Sequence, residues 1–244
     1  MLPAPTSQSA SLPIMSEPLS GLASHLVFGH FAAKGIKKGL SASLAEPPLS
    51  LKRDELSAVM QSISWKAGEI MVSDAMREID PPSRGHLEWS AWILSAWQVL
   101  RPRFESDEAA IEYLGAASLR GFDTWMVRLG VRLALRSCKN NPARAKAILT
   151  TVMKQFGVSF NSDVEQTDAS VTLRVTKCFY MDFFAAHGVP ALTTVLCRLD
   201  QLWFKAIDPA KHGMVFDMEH YVTMSRGATQ CCFPIVQVSV SEAP

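Results

Sequence analysis

The fold class follows from residues 170–200, which read S-V-T-L-R-V-T-K-C-F-Y-M-D-F-F-A-A-H-G-V-P-A-L-T-T-V-L-C-R-L-D. Apolar and polar side chains alternate over residues 170–178, and this period of two predicts a β-strand. Beyond this strand the apolar residues recur every three or four positions, which predicts a short helix over 179–186. Pro190 is suited to the first turn of a second helix, which carries Cys197. The chain therefore changes from strand to helix within this stretch.

A small antiparallel sheet is expected to form from this strand and two later ones, near residues 214–223 and 231–240. The two helices described above lie between the first and the second strand in the sequence. Residues 158–244 are therefore predicted to form an α+β unit, with a sheet of about three strands and two inserted helices.

The preceding residues, 51–157, are predicted to form a helical region because their apolar side chains recur at spacings of three and four. Proline-containing segments divide this region into separate helices: Pro81-Pro82, Pro102 and Asn141-Pro142. We expect the helical region to pack on the sheet, so that the two parts form one continuous domain.

The N-terminal residues, 1–50, are expected to form a disordered or loosely attached extension. The first twenty residues are rich in Ser and Pro, a composition that does not support a packed core. The sequence of residues 25–44 predicts a short amphipathic helix that packs on the rest of the protein. The alternative is a helix that lies at a membrane surface. Glu46-Pro47-Pro48 separates this extension from the body.

Composition excludes several classes of protein. The chain has 244 residues and a net charge of +1, which gives no reason to expect nucleic acid as a partner. No run of 18 apolar residues is present, so we expect no stable membrane insertion. The odd number of cysteines, 5, argues against a disulfide framework and favours reduced thiols in the cytoplasm, with organellar targeting left open. A row of basic residues is interpreted as a solvated helix face: Arg120, Arg128, Arg132, Arg136 and Lys139.

The residues with the greatest chemical potential lie in the last third of the chain, where four of the cysteines occur: Cys178, Cys197, Cys231 and Cys232. Cys197 and Asp200 are three residues apart on the predicted helix, so their side chains share one face. Cys178 ends the first strand, and Cys231 opens the last one after a turn that contains glycine.

Three interpretations of these cysteines remain open at this point. Free cysteines are often small buried hydrophobic residues without chemical function. A metal site is the second interpretation, although the chain has no C-x-x-C pair and the gaps between its ligands would be long. The third is nucleophilic catalysis by a thiolate, with a nearby carboxylate that carries the proton.

Two further side chains are candidates for substrate binding. Arg174 lies on the same predicted strand face as Cys178 and can hold a carboxylate with two hydrogen bonds, or it can simply point outward. His187, before the turn at Gly188, can polarise a thiol or can be a surface or capping residue.

The cysteine-rich segment, followed by T-M-S-R-G-A-T-Q-C-C-F over residues 223–233, resembles the L-2-amino-thiazoline-4-carboxylic acid hydrolase family. The resemblance is carried by the following positions: Cys178, Gly188, Pro190, Cys197, Asp200, Thr223, Gly227, Cys231 and Phe233. It covers residues 170–233 and extends to the helices after about residue 111. Two positions depart from the family pattern, with Ala191 where an acidic residue is expected and Cys232 where Asp is usual.

The resemblance implies a small-molecule substrate and hydrolytic opening of a five-membered ring that contains sulfur and nitrogen. It implies no cofactor, and on this basis we hypothesise attack by Cys197 and proton transfer by Asp200. Cys178 and Cys231 would flank the site, and either of them is the alternative nucleophile.

The alternatives are an isomerase or cyclase on the same fold, or a protein that binds a metal or ligand through its cysteines. A weaker similarity to plastid beta-carotene isomerases, which are linked to iron, keeps iron or zinc as the alternative cofactor. The oligomeric state is not predicted.

Overall fold

The structure is a computed structural model that describes residues 32–74 and 79–238. Its N-terminal part is helical, with the following elements: α1 Ala32–Leu44, α2 Arg53–Asp74, α3 Pro81–Leu100, α4 Asp107–Phe122, α5 Trp125–Ser137 and α6 Pro142–Lys154. The remaining strands and helices are, in chain order: β1 Asn161–Gln166, β2 Ser170–Lys177, α7 Phe179–Ala186, α8 Thr193–Cys197, α9 Gln201–Phe204, α10 Pro209–His212, β3 Met214–Phe216 and β4 Cys231–Gln237.

The helix boundaries follow from capping side chains. Ser106 caps α4 by accepting a hydrogen bond from the backbone N–H of Ala109. The sequence Ser106-Asp107-Glu108 is typical of a capped helix start and predicts this boundary. Thr124 caps α5 in the same manner, and this cap makes α5 a helix separate from α4. Asn141 caps α6, whose first residue is Pro142.

The sheet has four antiparallel strands in the order β1-β2-β4-β3. The predicted α+β class is confirmed, but the sheet contains one more strand than the three that were expected. The missed strand is β1, which reads N-S-D-V-E-Q and buries only Val164. Because β1 is an edge strand with mostly exposed side chains, its sequence shows no extended alternation of apolar residues.

The main hydrophobic core joins the helical region to the segment that carries the cysteines. Buried side chains from α1, α2, α3 and α4 pack with Phe183 and Phe184 of α7 and with Val195 and Leu196 of α8. A second, smaller cluster packs α6 on the sheet, through Ala145 on the helix side. The helices that follow β2 are therefore held against the helical region as well as against the sheet.

The predicted amphipathic helix of the N-terminal extension is present as α1. Its apolar stripe, Ile36, Leu40 and Leu44, is fully buried in the main core. Residues 1–31 of the predicted extension lie outside the described residues. Within the described ranges, no helix is long and apolar enough to cross a membrane.

Glycines allow α1 and α4 to approach closely. A Cβ atom placed on Gly39 would collide with the backbone oxygen of Ala117, and one placed on Gly121 would collide with the backbone oxygen of Gly35. Both contacts are with backbone, which cannot move aside without displacing a helix. The small residues therefore determine the distance between the two helices.

Replacing Gly39 by alanine is expected to lower the free energy of unfolding by about 1–3 kcal/mol, because the added methyl group forces α1 and α4 apart. Gly68 of α2 is the matched control, since a Cβ there meets no atom within 4 Å. The substitution Gly68→Ala should stabilise the protein by about 0.5–1 kcal/mol through helix propensity. Urea unfolding of both variants tests the contact, and equal stabilisation by both would contradict it.

Candidate active site

Cys178 lies at the junction between β2 and α7, where it is the N-cap residue of the helix. Burial raises the pKa of its thiol to about 12, while the backbone N–H groups of Met181 and Tyr180 act in the opposite direction by hydrogen bonding to the sulfur. The thiol is therefore protonated at neutral pH, but it faces backbone donors that can stabilise a thiolate.

Cys197 ends α8 and is followed by a 3₁₀ turn, Arg198–Asp200. The hydroxyl of Ser225 donates a hydrogen bond to its sulfur over 3.4 Å. Burial raises the pKa of the Cys197 thiol, and the next largest cause is the negative charge of Asp200. The charge of Asp200 thus contributes to the pKa of Cys197, in agreement with the spacing of three residues between them.

The 3₁₀ turn is anchored to the helical region by an ion pair. The guanidinium of Arg198 binds both carboxylate oxygens of Glu112 on α4, with Nη1 at 2.6 Å from Oε1. Gly115 makes room for this side chain, because a Cβ at that position would collide with Arg198. The ion pair holds the segment between Cys197 and Asp200 against α4.

Cys231 opens β4 and is buried. The backbone N–H of Met224 donates a hydrogen bond to its sulfur over 3.4 Å. Met224 starts a second 3₁₀ turn, Met224–Arg226, which ends at Gly227 with a φ of +92°, a conformation that favours glycine. This turn supplies a donor to Cys231 through Met224 and a donor to Cys197 through Ser225.

Asp200 affects the pKa values of all three thiols through its charge. Burial raises the pKa of its carboxyl group from the usual 3.8 to about 7. Its charge in turn contributes to the raised pKa values of Cys178, Cys197 and Cys231. These electrostatic contributions indicate that all four residues for which a catalytic role is predicted lie near one another in one weakly solvated cluster of side chains, which we call the thiol pocket.

Tyr180 and His86 extend the thiol pocket into the helical region, and sequence reasoning missed both. The Tyr180 hydroxyl oxygen lies 2.6 Å from Nδ1 of His86 on α3. Burial raises the pKa of Tyr180, with further contributions from the charges of Cys178, Asp200 and Cys197. Burial also lowers the pKa of His86 to about 3, so the imidazole is neutral at physiological pH. Tyr180 follows Cys178 by two residues, so its position in the sequence could have indicated a place at the site. No pattern in the sequence indicates His86.

The other wall of the thiol pocket is aromatic. Four rings pack together, with the Phe204 and Phe216 centroids 3.6 Å apart: Phe204, Phe216, Tyr221 and Phe233. Burial raises the pKa of Tyr221, and the charges of Asp200 and Cys197 add to this effect. Arg226 acts on Tyr221 in the opposite direction, which places its positive charge near the same wall.

The structure does not bring Arg174 into the thiol pocket. Arg174 is paired in register with Cys232, and Val175 with Cys231, so Arg174 and Cys231 lie on opposite faces of the sheet. The Arg174 guanidinium binds Glu165 on β1, with Nε 3.0 Å from Oε1. The expectation that it shares a face with Cys178 required unbroken alternation between the two residues, but the register of β2 against β1 shifts between them, since Ser162 pairs with Val175 and Asn161 with Lys177.

His187 is also separate from the thiols. It is the C-cap residue of α7, whereas Cys178 is the N-cap, so about 13 Å of helix lies between them. The His187 ring packs on Phe183, with the centroids 4.5 Å apart. This position fits a capping residue.

The cysteines do not form a recognisable metal site. Among residues 32–74 and 79–238, no group of three or more His, Cys, Asp or Glu side chains is arranged to hold a metal ion. The alternatives of iron, zinc or no cofactor stay predictions, and metal analysis of the purified protein would decide between them.

The family model of L-2-amino-thiazoline-4-carboxylic acid hydrolases matches residues 98–235, which is more than half of the chain. The chain belongs to this family. The resemblance predicted from the cysteine-rich segment is thereby confirmed, and the match extends upstream to the end of α3. All four predicted catalytic residues lie within the match, whereas His86 lies outside it. No curated protein and no solved structure matches the chain.

The buried carboxyl group predicts a specific dependence of stability on pH. Because Asp200 binds its proton more tightly in the folded than in the unfolded protein, its contribution to the free energy of unfolding should fall as pH rises from about 4 to about 7. A tenfold change in proton affinity corresponds to about 1.4 kcal/mol, so the Asp200→Asn variant should gain up to about 4 kcal/mol over the native protein across this window. Urea unfolding at several pH values measures the difference, and a constant difference would mean that Asp200 is well solvated.

Proposed function

We propose that the protein is a hydrolase that opens a small cyclic amidine of the 2-aminothiazoline-4-carboxylate type, with Cys197 as nucleophile and Asp200 as proton carrier. The family to which the chain belongs supports the class of reaction. The observation that supports the assignment of residues is positional: Cys197 directly precedes the 3₁₀ turn Arg198–Asp200, so one short rigid segment carries both side chains. The charge of Asp200, second only to burial in raising the pKa of Cys197, is consistent with this proximity.

The raised pKa values determine how the thiol is activated. Cys197 is protonated at neutral pH and therefore needs a base, because the thiolate is the nucleophile. A carboxyl group with a pKa of about 7 is available as a base at neutral pH and can return the proton afterwards. Ordinary aspartates are too weak as bases for this task, so the burial of Asp200 is what suits it to the role.

In the first step, Asp200 accepts the Cys197 proton and the thiolate adds to the ring carbon between sulfur and nitrogen. Asp200 then gives this proton to the ring nitrogen. A second proton passes from the exocyclic amino group to the same ring nitrogen. The bond between the ring carbon and the ring nitrogen breaks, which leaves an amine and a carbon that is bonded to Cys197, the substrate sulfur and an imine nitrogen.

In the second step, water adds to this carbon across the imine bond. The carbonyl group then forms as the bond to Cys197 breaks, and the hydroxyl proton passes through Asp200 to the leaving thiolate. The net change is the addition of one water molecule, and the product is a carbamoyl-cysteine with a free amine. Cleavage of the ring carbon–sulfur bond would instead give a product with a free thiol.

The neighbouring groups fit supporting roles. The hydroxyl of Ser225 donates to the Cys197 sulfur and stabilises the thiolate as attacking and leaving group. Cys178 and Cys231 flank the reacting thiol, each with its own backbone donor. The Tyr180 hydroxyl stays protonated because of its raised pKa, and its oxygen lies 2.6 Å from Nδ1 of His86.

Arg226 is better placed than Arg174 to bind the substrate carboxylate. Its charge acts on Tyr221 at the wall of the thiol pocket, and no described residue forms an ion pair with it. Arg174, in contrast, is engaged by Glu165 on the opposite face of the sheet. An exposed arginine at the edge of the pocket can hold a carboxylate while the ring enters.

The two departures from the family pattern do not touch the thiol pocket. Ala191 is exposed in the turn before α8. Cys232 faces away from Cys231, and its sulfur lies 3.9 Å from Nη1 of Arg174. Both positions support retention of the family's reaction over the alternative of an isomerase or cyclase.

The assignment of the nucleophile is tested with purified protein and 2-aminothiazoline-4-carboxylate. Cys197→Ser should abolish turnover, and Asp200→Asn should lower kcat/KM by about 10²–10⁴-fold, the range for loss of a general base. For the native protein, kcat/KM should rise with pH and level off above about 7, as Asp200 ionises. Thiol and amine reagents applied to the product distinguish which ring bond breaks.

The matched controls are Cys178→Ser and Cys231→Ser, which should retain measurable turnover. Circular dichroism of each variant checks that it is folded. Activity retained by Cys197→Ser and lost in a control variant would move the nucleophile to that control position. No turnover by folded native protein would overturn the proposed substrate.

The assignment of the carboxylate-binding residue has its own test. Arg226→Gln should raise KM by about 10- to 100-fold with little change in kcat, because a charged hydrogen bond made before and during the reaction is lost. Arg174→Gln removes the same charge elsewhere and should leave KM unchanged. The opposite result would return the substrate carboxylate to Arg174.

A further inference from the structure

A row of large apolar side chains is exposed on α5. Trp125, Leu129 and Leu133 follow one another at spacings of four residues, so they lie along one side of the helix. Their exposed fractions are 72%, 46% and 60%. The opposite side of α5 faces the body, where Val131 is buried. A regular apolar row of this kind is unusual on a surface that has no partner.

Positively charged side chains lie beside this row. Arg132 and Arg136 belong to the same exposed side of α5, and Lys139 follows the helix. Together with Lys205 they line a cleft of about 980 Å³ between α5, α9 and α10. Within residues 32–74 and 79–238, no carboxylate forms an ion pair with any of these four cations. The net charge of +1 for the whole chain therefore conceals a local excess of positive charge.

Other cations at the same cleft are already neutralised. Arg128 binds Asp123 through two hydrogen bonds of 2.6 Å, and Lys211 binds Asp208 at 2.6 Å. The cleft is thus not uniformly charged. Its unpaired charge is concentrated next to the apolar row.

We propose that this surface docks on an anionic phospholipid membrane. We call it the α5 surface and define it by seven residues: Trp125, Leu129, Leu133, Arg132, Arg136, Lys139 and Lys205. In such docking, the Trp and Leu side chains enter the boundary between head groups and acyl chains while the cations contact lipid phosphates. The protein would lie on the membrane rather than span it, in agreement with the helix lengths in the described ranges.

The chemistry of the α5 surface favours lipid over other anionic or apolar partners. A second copy of the chain would place unpaired cations against unpaired cations, which opposes association. Nucleic acid would use the cations and could stack on Trp125, but it offers no apolar partner for Leu129 and Leu133. An anionic lipid surface satisfies both the charges and the aliphatic side chains.

The test is co-sedimentation of the full chain with vesicles of phosphatidylcholine that contain 30% phosphatidylserine or none. We expect binding to the anionic vesicles, at least tenfold weaker binding to the neutral ones, and a decrease as salt is raised. Replacing both Arg132 and Arg136 by Gln should lower the partition coefficient about 25-fold, since each cation at an anionic surface is worth about fivefold. Exposed Lys38 and Lys52, replaced by Gln, are the control pair and should leave it unchanged.

The apolar contribution is tested with two tryptophans of equal exposure. Trp125→Ala should weaken binding about tenfold, whereas Trp65→Ala, at a residue 73% exposed on α2, should not. Circular dichroism checks that each variant is folded. Equal binding to both kinds of vesicle, no binding to either, or equal effects of the two tryptophan variants would overturn the proposal. Binding to single-stranded RNA in place of vesicles, or a dimer in sedimentation that dissociates in Trp125→Ala, would assign the surface to those partners instead.

Discussion

The arrangement of the thiol pocket depends on the ion pair between Arg198 and Glu112. This pair ties the turn Arg198–Asp200, which directly follows Cys197, to α4 of the helical region. Its contribution to stability is modest, because Glu112 is largely exposed to water. It acts on a turn of only three residues, which is also held against the main core through Leu199.

The thiol pocket is assembled from parts that are distant in the sequence. The junction of β2 and α7 supplies Cys178, the end of α8 supplies Cys197, and the start of β4 supplies Cys231. The helical region contributes His86 and closes the pocket against water. Burial then has one consequence for each kind of group: it raises the pKa of carboxyl, thiol and phenol groups and lowers that of the imidazole. At pH 7 the thiols, the phenol and the imidazole are therefore neutral, whereas Asp200, with a pKa of about 7, is about half ionised.

The sequence predicted the features that depend on local pattern. The change of period after residue 177, the caps at Ser106 and Asn141, and the joint position of Cys197 and Asp200 are all short-range properties. β1 could not be predicted, because an edge strand needs no apolar alternation.

Long-range relations were harder to predict. Tertiary packing alone brings His86 into contact with Tyr180, and no spacing pattern in the sequence indicates this contact. Arg174 was expected to share a strand face with Cys178, but the register shift between β1 and β2 interrupts the alternation that this expectation assumed. The domain boundaries and the cofactor stay predictions.

The neutral state of the three thiols also affects how the protein withstands oxidants. Peroxides and most alkylating reagents attack thiolates, and a thiol with a strongly raised pKa offers very few of them at neutral pH. The three cysteines can therefore share one weakly solvated region without readily forming sulfenic acids in the resting protein. Under the proposed mechanism, a vulnerable thiolate would form only while Asp200 holds the Cys197 proton.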